Sequence, residues 1–460
     1  MIPLLWACCA CSQTGRIVGA APTDLAQPEG VEVLFNHRDG RRYRSPLTGK
    51  WRKGDDLEQI LVDAIDAAES EILVAIQQLT LPRIAQSLIA AQQRGLKVHV
   101  VLENTYSTPW SRQLAVHLPK HQRRQWQQFN QLADRNQDGV TTPEEAADAD
   151  AVALLLNAGI PLIDDTEDGS RGSGLMHHKF VVIDGMQVIT GSANATSSGL
   201  HGDAGASNSR GNVNHLLSIR SRELADLFRE EFQRMWGDGP GGKQDSLFGL
   251  TKESGGVKTV MVGKTRIDVL FAPHRKREPV HSLTWLGEQL ASAERSIDMA
   301  LFVFSAQQLT SVLQGRVEAG VDVRLVADPG FASRPFSEVL DLLGVSLPDR
   351  NCKIERDNQP FEQALKGVGT PRLARGDKLH HKFAVIDNKK VITGSFNWSP
   401  AAAHINDETL LVIHSPKLAK HFSREMDRLW DTAELGITPH IQSKLDRQRI
   451  KCGDGVSGAK

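Results

Sequence analysis

His177-His178-Lys179-Phe180-Val181-Val182-Ile183-Asp184 returns downstream as His380-His381-Lys382-Phe383-Ala384-Val385-Ile386-Asp387. Each copy leads at the same distance into a small polar turn, Gly191-Ser192-Ala193-Asn194 in the first and Gly394-Ser395-Phe396-Asn397 in the second. A detailed duplication with a period of roughly 200 residues points to two like domains.

Working outward, the likeness continues into a helix. Ser221, Leu224, Ala225, Phe228, Glu231, Arg234 and Trp236 match Ser415, Leu418, Ala419, Phe422, Glu425, Arg428 and Trp430, with apolar members every three to four residues, as one buried helical face requires. Upstream, the apolar runs 70–76 and 96–102 parallel 296–302 and 321–327 and read as buried strands. Helical patterns, Asp55 to Glu69 and Leu81 to Gly95, alternate with such strands, and the second ends on a glycine stop. Strand alternating with helix predicts an α/β fold. Two tandem domains are expected, each a mixed or mainly parallel sheet flanked by helices and related by a pseudo-twofold axis. The domains are placed at 31–236 and 265–436, with a Gly-rich linker at 237–264, a leader at 1–30 and a tail at 437–460.

Composition agrees with a globular chain. At 460 residues it exceeds one ordinary core, and 40% hydrophobic with 24% charged residues excludes wholesale disorder. A net charge of −1 gives no global basic field to steer it onto nucleic acid. The clusters at 120–124 and 274–277 read as solvated surface runs. Three of the five cysteines, Cys8, Cys9 and Cys11, crowd the start, and the others are Cys352 and Cys452; no metal spacing emerges. The apolar opening at 1–11 is far shorter than the ~20 residues of a membrane span. With Gly19-Ala20-Ala21 behind it, it fits a signal or lipoprotein leader, although no basic residue precedes it. That favours a secreted, periplasmic or lipid-anchored location over the cytoplasm.

On a strand, residues two apart share a face, so His177 projects with Lys179, and His380 with Lys382, while His178 and His381 point away. Phosphodiester cleavage needs a nucleophile, a proton donor for the leaving alkoxide and cations for the non-bridging oxygens. Two imidazoles and two ammonium groups supply these with no metal or other cofactor for catalysis. The turns carrying Ser192, Asn194, Ser395 and Asn397 offer hydroxyl, amide and backbone donors to the substrate oxyanion. Satisfied core histidines would explain one such motif, but not two with matching tails.

The pattern His-x-Lys-x4-Asp-x6-Gly-Ser-x-Asn, present twice between about Val31 and Trp430, resembles the signature of the phospholipase D superfamily. The resemblance implies one active site at the interface of two facing halves. One histidine attacks phosphorus to give a phosphohistidine; the other protonates the leaving group and then activates water. It also carries Asp184 and Asp387 into the catalytic set, although both stand beside turns where a structural role is expected. In similar enzymes an acidic residue after the motif bonds the histidine of the opposite half. Here that residue is Glu408, while Asn214 occupies the matching place in the first half. The asymmetry assigns His177 as nucleophile, oriented by Glu408, and His380 as acid/base, oriented by Asn214.

A second motif, Asp134 to Glu145, has oxygen ligands at positions 1, 3, 5, 9 and 12, Gly139 at 6 and a backbone carbonyl at 7, as in an EF-hand calcium loop. It predicts Ca2+ held by Asp134, Asn136, Asp138, the Val140 carbonyl, Thr142 and Glu145. Thr141 departs from the usual aliphatic residue at position 8, and no second loop is visible. Helical patterns 122–132 and 143–158 flank it, so the loop reads as an insertion, 122–158, in the first domain only.

The expected function is hydrolysis of phospholipid headgroup phosphodiesters by a monomer, with a phospholipid or membrane surface as partner. An endonuclease acting on DNA or RNA by the same chemistry is the alternative, and a non-catalytic phosphate-binding module the third.

Overall fold

The computed structural model describes residues 24–166, 174–203, 206 and 208–453. Residues 1–23 of the expected leader and 454–460 of the expected tail lie outside these. No described helix is long and apolar enough to cross a membrane.

The first half supplies strands β1 (Val31–Phe35), β2 (Arg42–Arg44), β3 (Trp51–Lys53), β4 (Glu71–Ile76), β5 (Lys97–Leu102), β6 (Leu162–Asp164), β7 (Lys179–Ile183), β8 (Gln187–Gly191) and β9 (His215–Arg220). The second supplies β10 (Lys258–Val262), β11 (Thr265–Ala272), β12 (Ser296–Leu301), β13 (Asp322–Ala327), β14 (Val368–Pro371), β15 (Lys382–Ile386), β16 (Lys390–Gly394), β17 (Glu408–His414) and β18 (Ala433–Leu435). The sheets run β1-β9-β8-β7-β4-β5-β6 and β10-β11-β17-β16-β15-β12-β13-β14-β18. The shared seven-strand order is the duplication made visible. Each sheet is mixed, not mainly parallel: β4-β5-β6 and β12-β13-β14 are parallel and the other pairings antiparallel. The link from β7 to β8, Asp184 to Met186, is too short for a crossover, so these two strands must run antiparallel.

Strand parity sets the layers. Val181 and Ile183 face outward onto helices Leu57–Asp66, Pro82–Gln93 and Ala151–Asn157. Phe180 and Val182 face inward, in one continuous core with Phe383 and Val385 of the other half. The repeat-matched helices Arg222–Trp236 and Pro416–Trp430 fill this layer between the sheets with Phe228, Phe232, Phe422 and Met426. Each such side chain, fully buried, contributes roughly 1.5–3 kcal/mol, so the halves share one core.

Three expected boundaries shift. Much of 237–264 is built into the structure: β10 is an edge strand of the second sheet, and Lys252 is buried between ionic partners. The expected tail holds helix Pro439–Cys452, tied back by a Cys352–Cys452 disulfide. The expected helix 143–158 breaks at Asp150, whose carboxylate leaves the first segment, Pro143–Ala149, to cap the amides of Val152 and Ala153 in the next.

Candidate active site

The motif histidines stand just before the strands that carry their lysines, where backbone pairing crosses between the halves. The His177 amide donates to the Asp407 carbonyl at 3.0 Å and the Asp407 amide to the Leu175 carbonyl at 2.9 Å. By the same pseudo-symmetry, the His380 amide donates to the Val213 carbonyl at 3.0 Å and the Val213 amide to the Lys378 carbonyl at 2.7 Å. Each half therefore sets the register of the other's histidine.

Side chains repeat the exchange. His177 Nδ1 lies 2.8 Å from the Glu408 carboxylate, which also accepts the Ser395 hydroxyl at 2.6 Å. His380 Nδ1 lies 3.0 Å from Asn214 Oδ1, which accepts the Ser192 hydroxyl at 2.8 Å. The Asn214 amide nitrogen donates to the Gly199 carbonyl, so its oxygen is the atom turned to the imidazole. Ser192 and Ser395, expected on the substrate, are fully buried behind the histidines and hold their partners instead. Asn194 lines the cleft and donates to Gln77. Asn194 Oδ1 and Asn397 Oδ1 are buried without a hydrogen-bond partner.

The second histidine of each His-His pair turns away from the cleft. His178 is wholly buried, bonded to Thr409 at 2.9 Å and Glu231 at 3.2 Å. His381 is bonded to Glu425 at 3.0 Å and to His215 at 2.9 Å. The motif lysines fold back: Lys179 Nζ donates to the His177 carbonyl and Lys382 Nζ to the His380 carbonyl, each at 2.8 Å.

Asp184 and Asp387 leave the site. Each follows the last residue of its strand, roughly 17 Å of extended chain from the motif lysine, with φ of 52°. Asp184 accepts the amides of Glu69, Ser70 and Glu71, and Asp387 those of Glu294, Arg295 and Ser296. Both carboxylates tie a helix-to-strand turn to the sheet.

His177, His380, Asn194, Asn214, Gln77, Phe302 and Lys378 line one cleft of about 300 Å³. Gln77 and Phe302 follow matched strands, so one half presents an amide and the other a ring packed on His380 at 4.6 Å, with Lys382 Nζ 5.0 Å from its centroid. The insertion contributes Arg124, Gln125 and Gln128 from helix Lys120–Ala133. Burial, reinforced by Lys179 and Lys382, holds His177 well below its ordinary value; burial and the same lysines do so for His380. Burial also brings Lys179 down to about 7 and lifts Glu408 to about 7. Both histidines are thus held in the neutral form at pH 7.

Several site residues escaped sequence reasoning. Glu231 and Glu425 carried a signal, a carboxylate recurring at matched positions in an apolar stripe. Gln77 and Phe302 carried a weaker one, their shared place after paired strands. Lys252, whose ammonium bridges Glu231 and Asp407, has no repeat partner and gave none.

In the calcium-type loop, Asp134 accepts the amides of Asp138 and Gly139, Asn136 Oδ1 that of Asp138, and Asp138 that of Val140. Glu145 accepts the amides of Arg135 and Thr142, and Thr142 Oγ1 accepts that of Glu145. Among the described residues no three His, Cys, Asp or Glu side chains converge as a metal site. The loop's carboxylates are turned onto its own amides.

A family model described as "Cardiolipin synthase, PLD-like domain" matches residues 61–236 and 286–430, well over half of the chain. The chain belongs to the phospholipase D-like family. Both halves of this phospholipase D-like chain are covered, and with them both histidine-lysine motifs. Among curated proteins it is 29% identical over 178 residues to the human mitochondrial cardiolipin hydrolase, covering 39% of this chain and 62% of that one. It is 28% identical over 161 residues to a Rickettsia conorii phospholipase D, covering 35% and 68%. The first such match, a Chlamydomonas reinhardtii mitochondrial cardiolipin hydrolase, is spanned over 58% of its length. The fold is that of the Haemophilus influenzae phosphatidylserine synthase, with a TM-score of 0.56 at 13% identity over 94% of this chain and 95% of that one.

Proposed function

We propose that this chain is a phosphodiesterase that hydrolyses phospholipid headgroup esters through a phosphohistidine on His177. The observation that carries the reading is the unequal pair of cross-half contacts, His177 to a carboxylate and His380 to an amide, around one cleft. Glu408 accepts the Nδ1 proton of His177, leaving the Nε2 lone pair free to attack phosphorus. As the N–P bond forms, the P–O bond to the leaving group breaks and His380 donates its Nε2 proton to the alkoxide. His380 needs that proton beforehand, and the phosphodiester anion supplies the charge that favours it. Water then attacks phosphorus, gives its proton to His380 and releases His177. In this reading the positive charge of Lys179 and Lys382 offsets the charge on the non-bridging oxygens.

The names of the curated relatives support a phospholipid substrate. The test compares headgroup release from mixed micelles with cleavage of single-stranded DNA, with His177→Asn and His380→Asn as controls. Headgroup release lost in both variants is expected; cleavage of DNA alone would replace this reading with the nuclease one, and phosphate binding without turnover would replace it with a binding module. A trapped phosphopeptide containing His380 would reverse the two roles.

Two finer readings accompany it. We infer that the 134–145 loop takes Ca2+ at the insertion, supported by helices at both flanks and by Gly139 at φ 86° where the loop must turn. Calorimetry without heat at millimolar Ca2+ removes that reading. The Cys352–Cys452 disulfide supports an oxidising location such as the periplasm or the exterior. The working form is taken as a monomer, since one chain carries both halves of the site.

A further inference from the structure

Residues 41–53 carry six cations, Arg41, Arg42, Arg44, Lys50, Arg52 and Lys53, and no acid, in a chain whose net charge is −1. They fold as the β2–β3 hairpin, in which Arg42 stands opposite Lys53, Tyr43 opposite Arg52 and Arg44 opposite Trp51. Alternation along both strands gives the hairpin two unlike faces. The inner face is docked: the Tyr43 hydroxyl lies 2.9 Å from His201 Nδ1, and Arg52 donates to the Ser209 carbonyl. The outer face carries Arg42, Arg44, Lys53 and Trp51, all in solvent, with Trp51 66% exposed.

That outer face works against the hairpin's own stability. Like charges directly opposite on paired strands repel, and a two-stranded hairpin is marginal even without that cost. Among the described residues Arg41 is paired with Asp24, but Arg42, Arg44 and Lys53 have no carboxylate partner. The Arg42 guanidinium lies instead 4.9 Å from the centre of the Trp51 ring. A partner that brings negative charge removes the repulsion. The hairpin also stands close to the active site. Its turn residues Pro46 and Leu47 line a cavity together with Gln125 and Gln128 of the insertion helix, and these two glutamines line the catalytic cleft as well. No acid occurs from Asn104 to Ala133, and the approach to that helix leaves Leu114 and Val116 62% and 74% exposed.

We propose that the outer face of the β2–β3 hairpin seats the protein on an anionic phospholipid surface. This rests on the phospholipid reading of the cleft. Arginine and lysine beside such a surface are drawn to its headgroup charge, and tryptophan sits at the boundary of headgroup and acyl chain with its indole N–H still hydrated. Leu114 and Val116, on the neighbouring insertion, favour lipid over a nucleic acid strand. Aliphatic side chains gain by entering the acyl boundary, whereas bases stack on aromatic rings and guanidinium planes.

The test is flotation of the full chain with vesicles of equimolar phosphatidylglycerol and phosphatidylcholine, and with vesicles of phosphatidylcholine alone. Binding to the anionic vesicles only, weakening as salt is raised, is expected. Arg42→Gln together with Lys53→Gln removes two cations worth roughly fivefold each, so a loss of at least about tenfold is expected, and Trp51→Ser should cost roughly tenfold. Equal binding of the native protein to the two kinds of vesicle overturns the docking face, as does binding unchanged in both variants. The native comparison stands even where a variant does not fold. Variants that lose single-stranded DNA while keeping the vesicles would give the face to nucleic acid and overturn it too. Headgroup release from mixed micelles, measured alongside, separates the two readings. Docking with cleavage of DNA and not of phospholipid would sink the phospholipid reading while leaving the surface; headgroup release without preference for anionic vesicles would sink the docking alone.

Discussion

Lys252→Met removes the ammonium that bridges Glu231 and Asp407, and its effect can be worked out from the surroundings. The ammonium lies 2.6 Å from Asp407 and is hydrogen-bonded to Glu231. Both carboxylates are almost fully buried, at 2% and 1% exposure. Burial alone would raise Glu231, but Lys252 and His178 override it and hold the carboxyl at about 2. Without the ammonium, two neighbouring buried carboxylates lose the cation they share, with Glu231 keeping the half-exposed Arg234 at 3.6 Å, and breaking such a group typically costs about 3–5 kcal/mol. Methionine keeps the stem's packing, so the loss reports the charge. Because Glu231 is held below its ordinary value, its stabilisation is present above about pH 4.5 and disappears as pH falls towards 2. The deficit in urea unfolding should therefore be full at pH 7 and smaller at pH 4. Activity should fall as well, chiefly in kcat, because the Asp407 backbone seats His177. A loss below about 1 kcal/mol, or a deficit that does not change between pH 7 and pH 4, would refute the reasoning.

Three further outcomes are expected. Asp184→Ala should lower stability by about 1–3 kcal/mol, since three amides lose their acceptor, yet leave kcat/KM within about twofold; a large fall in kcat/KM at unchanged stability would return Asp184 to the chemistry. Glu338 is pushed up to about 8 by burial and by Asp341 and Glu355, so it stays protonated in the native state while the unfolded chain ionises. Glu338→Gln should then raise Tm by an amount that grows from pH 4.5 to pH 8 and levels off beyond, and a pH-independent shift would contradict it. Cys352→Ser opens a loop of 100 residues and should cost about 5 kcal/mol on the chain-entropy account; urea midpoints with and without reductant check this, and reductant should not move the variant.

Much of the site was legible because a duplicated sequence carries its own alignment. Strand parity separated His177 and His380 from their neighbours, and the inequality of Glu408 and Asn214 was readable as soon as the copies were overlaid. For Asp184 and Asp387 the motif pointed to chemistry and the adjacent turns to structure, and their contacts are those of the turn, because a motif records spacing along a strand, not which end of the strand faces the chemistry. The serines were assigned to the site, but their hydroxyls turn inward to the residues behind the histidines, a direction that spacing does not encode.

By itself the sequence determined the two α/β halves, the helices that fill the layer between them and the two histidine-lysine pairs, because these rest on periodicity and repetition within short segments. Only the tertiary structure decided what lies between distant segments. It brought Lys252 from the expected linker into the core, Cys352 to Cys452, and the insertion helix to the rim of the cleft. Each of these contacts joins groups far apart in the chain, and their geometry follows from how two sheets and a shared core pack, which no local pattern specifies.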